Sequence, residues 1–275
     1  LWNGEDAILK ERLFGLTNPQ GNHGEDVKEI YQYLDAAPTY SYCRAMYRYP
    51  QAAFPYQQLI EQNRRRGRDQ PEFELVDTGV FQDNRFWDIE AEYAKAGPND
   101  VLIRLSVLNQ GPDEATLHLI PMLWFRNTWS WGCRHEGCTL KPRLWLEDQA
   151  IAAEHETLGR FDLYFAKPPN GPPPEVLFTE NHTNHRRLFG AGNETRHVKD
   201  AFHDYVIHGD QAAVNPEQVG TKTGLLYHLQ TKPNQTVELR FRLRLAELGA
   251  SRSPLGRSFA STMRRREQEA VAYQD

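Results

Sequence analysis

Cysteine is scarce in this sequence, and no apolar run approaches the length of a membrane span. Three cysteines are an odd number for a disulfide framework. Cys133 and Cys138 could pair across a short loop, but the low count favours a reducing compartment, and we expect a cytoplasmic protein. We predict no membrane segment and find no signal peptide.

Concentrated positive charge is also missing. The net charge is −5, and the two basic runs, at residues 64–68 and 264–266, are short and contain no aromatic residues. A nucleic-acid-binding surface needs such a combination, so nucleic acid is not expected as a partner. No glycine-rich phosphate loop and no repeat of fixed period occurs. Aromatic residues make up 11% of the chain, which favours a folded domain with a sizeable core.

Short segments of alternating apolar and polar residues dominate the chain. They predict a mainly β protein, a large antiparallel two-sheet β-sandwich with a short helix near residues 55–67 and a C-terminal linker helix. The predicted strands include residues 73–81 and 201–208. Residues 86–93, 101–108 and 117–125 are predicted to form a three-strand meander, and residues 225–230 and 236–245 a hairpin.

The apolar run at residues 117–125 predicts a buried strand, central in its sheet. It is followed at once by Arg126, Asn127, Trp129 and Trp131. Indole faces beside a guanidinium and an amide suit a flat, hydroxyl-rich ligand. Alternatively, the two indoles pack under a loop or against another domain. We take these four residues as candidates that face a substrate or a neighbouring domain at one end of the sandwich.

No carboxylate pair predicts glycosidic catalysis. Glu25 and Asp26 are adjacent on a turn, where surface contacts are the usual role. Asp88, Glu90 and Glu92 alternate along one strand and predict a solvated face. An inverting hydrolase needs two carboxyls about 6.5–9.5 Å apart across a cleft. We therefore assign no catalytic residue.

A nucleophilic triad is not predicted either. His155 and His203 could be combined with Ser41 or Ser130, but no Gly-x-Ser-x-Gly sequence is present.

A zinc site is incomplete in the sequence. Cys133, His135 and Cys138 supply three ligands, whereas a structural zinc site needs four. His182 and His185 could contribute only if the fold brought their loop close. We predict no bound metal and no other cofactor.

Several long phrases resemble one known family. They are residues 10–29 (KERLFGLTNPQGNHGEDVKE), 50–56 (PQAAFPY), 73–79 (FELVDTG), 123–132 (LWFRNTWSWG), 199–205 (KDAFHDY) and 214–222 (VNPEQVGTK). The chain resembles the N-terminal part of bacterial proteins similar to glycoside hydrolase family 63, the family of the mannosyl-oligosaccharide glucosidases.

The resemblance implies a non-catalytic role for this chain. In that family an N-terminal β-sandwich precedes an (α/α)6 barrel, and the inverting acid and base lie on the barrel. Residues 1–250 then form the sandwich, with first strands preceding residue 1, and residues 251–275 start the helical linker. The expected partners are the catalytic barrel of the same parent chain and its oligosaccharide substrate. The alternative is a free-standing carbohydrate-binding or scaffold domain.

Overall fold

The computed structural model describes residues 1–10, 29–132, 134–249 and 253–274. Four α-helices lie within these ranges: α1 (Tyr56–Arg65), α2 (His185–Phe189), α3 (Ala201–His208) and α4 (Arg257–Gln274). The strands are β1 (Ile30–Ala36), β2 (Tyr42–Pro50), β3 (Phe86–Gly97), β4 (Asp100–Asn109), β5 (Ala115–Leu119), β6 (Met122–Trp124), β7 (Arg143–Glu147), β8 (Ala150–His155), β9 (Gly159–Phe165), β10 (Glu175–Thr179), β11 (Val219–Gly220), β12 (Lys222–Thr231) and β13 (Thr236–Leu245).

Two antiparallel sheets form a sandwich. The large sheet has the strand order β1-β2-β3-β4-β13-β9-β8-β7-β11. The small sheet has the order β10-β12-β5, and β6 also pairs with β12. Apolar side chains from both sheets share one core cluster, including Tyr47, Ile89, Val107, Leu239, Leu117, Leu225 and Leu229. The predicted mainly β, two-sheet architecture is confirmed.

Residue alternation explains why each strand has one buried face. On β13, Val237, Leu239 and Phe241 point into the core because successive side chains of a strand point to opposite faces. Glu238 and Arg240, which lie between them, face outward. Arg242 is on the same outer face but is buried, and it donates two hydrogen bonds to Asp100, both 2.7 Å long.

Two predicted strand pairings are wrong. β12 and β13 do not form a hairpin, because residues 232–235 carry the chain from the small sheet to the large one, where β13 pairs with β4 and β9. The meander also ends after β4, and the next strand crosses to the small sheet. Alternation identifies a strand and its buried face but cannot tell which sheet contributes the neighbour.

Two segments predicted as strands are helical. Within residues 73–81, a 3-10 helix at Leu75–Thr78 begins with a capping box between Glu74 and Asp77 and ends at Gly79, whose φ is 76°. Residues 201–208 form α3, which ends at Gly209 with a φ of 68°. Both glycines adopt the left-handed conformation that ends helices.

The two predicted helices are present. α1 confirms the helix near residues 55–67, and its Leu59 is fully buried beside Phe54 and Leu75. α4 confirms the C-terminal helix and packs Phe259 and Met263 on the outer face of the large sheet. In the described ranges, no helix combines the length and apolar character needed to cross a membrane.

Candidate functional site

The candidate site begins at the end of a bent edge strand. β5 and β6 lie along the same edge of β12 in one continuous register, from Ala115 opposite Thr231 to Trp124 opposite Lys222. Pro121 separates β5 from β6: its carbonyl accepts from the Leu225 N–H of β12, but it has no N–H to donate back to that strand. β12, not residues 117–125, is therefore the central strand, and that prediction is wrong.

Arg126 and Trp131 form one exposed unit beyond this strand. Trp131 lies in a short 3-10 helix, Trp129–Trp131, and its side chain is 59% exposed. The Arg126 guanidinium carbon lies 4.9 Å from the Trp131 ring centroid, which is cation–π distance. Asn127 accepts a long hydrogen bond of 3.3 Å from the Ser130 backbone N–H. Asn127 thus shapes the local turn, while Arg126 and Trp131 face solvent.

Trp129 is half-buried and bonded to a different loop. Its indole N–H donates to His182 Nε2 over 3.0 Å, and His182 Nδ1 lies 3.0 Å from a carboxylate oxygen of Glu194. An indole only donates, so Nε2 must carry a lone pair and the imidazole proton lies on Nδ1, toward Glu194. The hydrogen-bonded series Trp129–His182–Glu194 therefore has a defined donor-to-acceptor direction and connects two segments that are distant in the sequence.

The loop that supplies His182 is fixed to the start of β12. Asn181 donates from its side chain to the Phe125 carbonyl and from its backbone N–H to the Thr221 hydroxyl, each over 2.8 Å. The Thr221 hydroxyl donates to Glu180, whose carboxylate also pairs with Lys141 at 2.6 Å. These bonds place the loop against the strand end that carries Arg126–Trp131.

A surface cleft of about 600 Å³ adjoins this loop. It is lined by Arg186, Gly190, Ala191, Gly192, Asn193, Glu194, Thr195 and Arg196. Glu194 belongs both to the cleft and to the chain from Trp129. The cleft combines guanidinium groups, an amide and backbone donors, which suit a polar ligand better than an apolar one.

The three carboxylates of β3 confirm the predicted solvated face only in part, because Asp88 and Glu90 are partly exposed and Glu92 is buried. Arg48 pairs with Asp88 at 2.8 Å, and Arg44 pairs with Glu90 at 2.7 Å. These cross-strand ion pairs lie on the outer face of the large sheet, and β2 supplies both arginines, which a single strand's sequence could not reveal.

Glu92 is the most buried of the three, at 2% exposure. It accepts hydrogen bonds from Arg104 at 2.5 and 2.6 Å and from the Tyr42 hydroxyl at 2.8 Å. Burial, together with this hydrogen bond to Glu92, raises the pKa of Tyr42. The bond to Glu92 likewise raises the pKa of Arg104. Both carboxylate oxygens of Glu92 are engaged by Arg104 and Tyr42, so Glu92 has a structural role and does not face a substrate.

The residues weighed for a triad lie in separate environments. His155 stacks on Phe125 with ring centroids 5.5 Å apart, and its Nδ1 accepts from the Thr157 backbone. His203 lies on α3, where its Nδ1 accepts from the Leu9 backbone N–H at 3.3 Å. Neither serine contacts these histidines: Ser41 accepts a hydrogen bond from Thr39, and the Ser130 backbone donates to Asn127.

Some predicted positions lie outside the described residues. Glu25 and Asp26 are among them, and so is Cys133, which leaves the C-x-H-x2-C cluster without a described geometry. His135 is exposed and accepts a backbone hydrogen bond from Cys138 in a turn.

Sequence reasoning missed a different cluster. His203, Asp204 and His208 place their potential ligand atoms within 4.8 Å of one another. Residues 201–208 were predicted as a strand, which would point His203 and Asp204 to opposite faces. Gly209 directly after His208 was the available signal for a helix.

Comparison with known proteins gives one sequence relative. No family model matches the chain. It is 40% identical over 275 residues to "Uncharacterized protein YMR196W" of Saccharomyces cerevisiae, an alignment that covers 88% of the chain. The chain spans about a quarter of the length of this relative, 25%.

A solved structure gives only a distant likeness. A crystal structure from Escherichia coli K12, provisionally named an aldose 1-epimerase, is 8% identical and has a TM-score of 0.35. The match covers 78% of the present chain and 68% of that one. The chain is thus a two-sheet antiparallel sandwich that is similar in sequence to a segment of a longer yeast protein.

Proposed function

We propose that this chain is the non-catalytic N-terminal β-sandwich portion of an inverting, α-glucosidase-like glycoside hydrolase that acts on oligosaccharides. Three observations support the proposal: the phrases that resemble glycoside hydrolase family 63, the two-sheet sandwich, and the 40% identity to a segment of a longer protein. The partner is an (α/α)6 catalytic domain of the same parent chain.

The observation that carries the proposal is the chemistry of the Arg126–Trp131 segment. Two tryptophans near it, Trp124 and Trp131, expose more than half of their side-chain surface. Leaving such surface in water forgoes burial free energy on the order of 25 cal/mol per Å². Exposed aromatic clusters of this kind mark a ligand or partner surface. A sugar ring or the catalytic domain would cover Trp131, with Arg126 as a hydrogen-bond donor.

The carboxylates of β3 support a non-catalytic role. Asp88, Glu90 and Glu92 each pair with an arginine, so none is free to face an opposed acid or base. Without such a pair, the barrier to glycoside cleavage stays near its uncatalysed height.

The experiment compares the intact protein with the 275-residue chain. Both are assayed on p-nitrophenyl α-glucoside and on α-linked disaccharides, and the anomer of the first product is determined by NMR. We expect turnover with inversion by the intact protein and none by the chain alone. Turnover by the chain that is lost in Glu25→Gln or Asp26→Asn would overturn the proposal, because it would place the catalytic carboxylates in this sandwich.

A free-standing carbohydrate-binding or scaffold domain is the second candidate. The exposed Arg126–Trp131 unit favours it, because an aromatic face with a guanidinium beside it needs only a sugar to be covered. The length of the full open reading frame discriminates between the two. A parent chain ending near Asp275 would support this candidate and contradict the first.

The cytoplasm is the compartment that fits this enzyme. Only three cysteines are present, and Cys43 forms no disulfide. Fractionation of cells that express the intact protein tests this location, and recovery outside the cytoplasmic fraction would contradict it.

A further inference from the structure

α3 presents a group of metal-ligand side chains away from the core. Ala201 and Phe202 anchor the helix on the outer face of the small sheet, where Phe202 is fully buried. His203, Asp204 and His208 are only partly buried or exposed, and their ligand atoms lie within 4.8 Å of one another. The two imidazole rings have centroids 5.2 Å apart. The ligand group therefore belongs to one helix and is open to solvent on one side.

Helix geometry explains why two of the three ligand side chains are neighbours. Asp204 and His208 are four residues apart, so their side chains are neighbours on the helix surface. His208 is the last residue of α3, and the partial negative charge at a helix C-terminus favours a cation there. The Asp204 carbonyl accepts backbone bonds from Gly209 and Asp210. Among the described residues, the neighbouring Arg187 and Asn184 side chains engage the Asp200 carboxylate and not that of Asp204.

We infer that His203, Asp204 and His208 bind a divalent transition-metal ion of the zinc or cobalt class. Two imidazoles and one carboxylate form the ligand set of many sites that keep one coordination position open for water or a substrate. The inference is independent of the proposed function, since it uses neither the Arg126–Trp131 segment nor a catalytic domain.

Binding requires a small contraction of the ligand group. Zinc lies about 2.0–2.2 Å from nitrogen and oxygen ligands, so the three atoms must move closer than their present spacing. His208 is exposed at the helix end and can supply this movement by rotating its side chain.

The Leu9 backbone competes with the metal ion for His203. His203 Nδ1 accepts the Leu9 N–H, so the neutral ring carries its proton on Nε2. A metal ion at Nδ1 replaces the Leu9 donor. A metal ion at Nε2 needs the lone pair of that nitrogen, so the ring proton must move to Nδ1. The Nδ1–H group would then face the Leu9 N–H, and two donors cannot form a hydrogen bond. Either way the bond from Leu9 is lost, so metal binding should loosen the N-terminal segment.

Zinc titration of the purified, chelator-treated protein tests the site. We expect one equivalent to bind, and His203→Gln and His208→Gln each to weaken binding by at least about ten-fold, since even outer-shell losses cost 10–100-fold. His185→Gln, at the start of α2, is the matched control and should bind zinc like the unchanged protein. Failure to bind zinc, or undiminished binding in either cluster variant, would overturn the inference.

A second measurement needs no variant. Cobalt added to the unchanged protein should produce visible absorption bands of imidazole-ligated Co²⁺. Hydrogen exchange of the Leu9 amide should become faster at the same metal concentration. Absence of the bands, or a Leu9 amide whose exchange does not respond, would contradict the site as described, even if the variants failed to fold.

Discussion

Trp129 and Trp131 are two residues apart but have different environments. The Trp129 N–H bonds to His182, and the ring is half-buried, whereas the Trp131 ring is mostly in solvent. Removing the two indoles should therefore lower the free energy of unfolding by different amounts. Trp129 holds the 180–199 loop to the strand end, while Trp131 is mostly exposed and has the Arg126 guanidinium over its ring.

Substituting these tryptophans separates the two roles. Trp129→Phe should lower the free energy of unfolding by about 1 kcal/mol, because the His182 acceptor loses its donor. Trp131→Phe, the matched control, should stay within about 0.5 kcal/mol of the unchanged protein. Urea denaturation measures both. Equal effects of the two substitutions would show that the bond to His182 contributes nothing.

His118 is a partly buried base on the outer face of the small sheet. Its ring lies 4.8 Å from the Trp2 ring and 4.7 Å from the His228 ring, centroid to centroid, and His228 in turn contacts Glu175. Burial, and then the nearby His228, lowers the pKa of His118 below its ordinary value of 6.5. The folded protein therefore keeps this imidazole neutral at a pH where the unfolded chain protonates it.

The free energy of unfolding should decrease as the pH falls below 6.5. Above pH 6.5 both states leave His118 neutral, so the effect is absent. As the pH falls from 6.5 toward the lower folded-state pKa, the unfolded chain binds more protons and the free energy of unfolding decreases. His118→Gln should flatten this dependence in urea titrations at several pH values. An unchanged slope would mean that His118 does not titrate differently in the two states.

At the level of elements, β12 organises the small sheet because glycine permits close approaches along it. A Cβ at Gly220, in the adjoining β11, would overlap the backbone carbonyl of Thr179. A Cβ at Gly224 would lie 2.9 Å from the Phe202 ring and 3.0 Å from Ile120. The absence of a side chain lets β10 approach β11 closely at Gly220 and lets α3 pack directly on β12 at Gly224.

Gly220→Ala should therefore destabilise the protein strongly. Overpacking costs about 1–3 kcal/mol, and we expect at least the upper part of that range because the obstructing atom belongs to the backbone. Gly192→Ala, where a Cβ meets no atom within 4 Å, is the control and should be close to neutral. Thermal and urea midpoints measure both variants. A Gly220→Ala protein as stable as the control would contradict the close approach.

The molecule as a whole has α4 as a third layer over part of the large sheet. Phe259 and Met263 are each 1% exposed and share a cluster with Tyr42 and Leu102 of that sheet. Arg242 also donates to the Pro254 carbonyl just before the helix. These contacts attach residues 254–263 to the sandwich, although residues 251–275 were expected to form a linker. The domain boundary near residue 250 therefore remains a prediction.

Removing the buried Phe259 ring tests whether α4 folds as part of the sandwich. Phe259→Ala should lower the free energy of unfolding by about 3–5 kcal/mol, as buried Phe→Ala changes do. Val271→Ala is the control on the same helix, because Val271 is 51% exposed. If Phe259→Ala instead leaves the urea midpoint unchanged and only accelerates hydrogen exchange within α4, the helix is a detachable linker.

The candidate site was predictable only in part. Arg126, Asn127, Trp129 and Trp131 stood out because their chemistry changes abruptly after an apolar run. Their partners did not, since His182 and Glu194 come from a loop more than fifty residues away. No local spacing relates such distant positions, so the Trp129–His182–Glu194 chain became visible only in three dimensions.

Local periodicity was enough to identify most strands and their buried faces, because the pleat sets a period of two within a few residues. It also identified α1 and α4 from their spacing and turn residues. It could not assign β12 and β13 to different sheets, nor distinguish α3 from a strand. Those outcomes depend on packing against residues that are distant in the sequence. Thr179 lies beside β12, and Leu177 packs in one cluster with Phe202 of α3. The free energy of such contacts is shared by the whole core, so it leaves no local pattern.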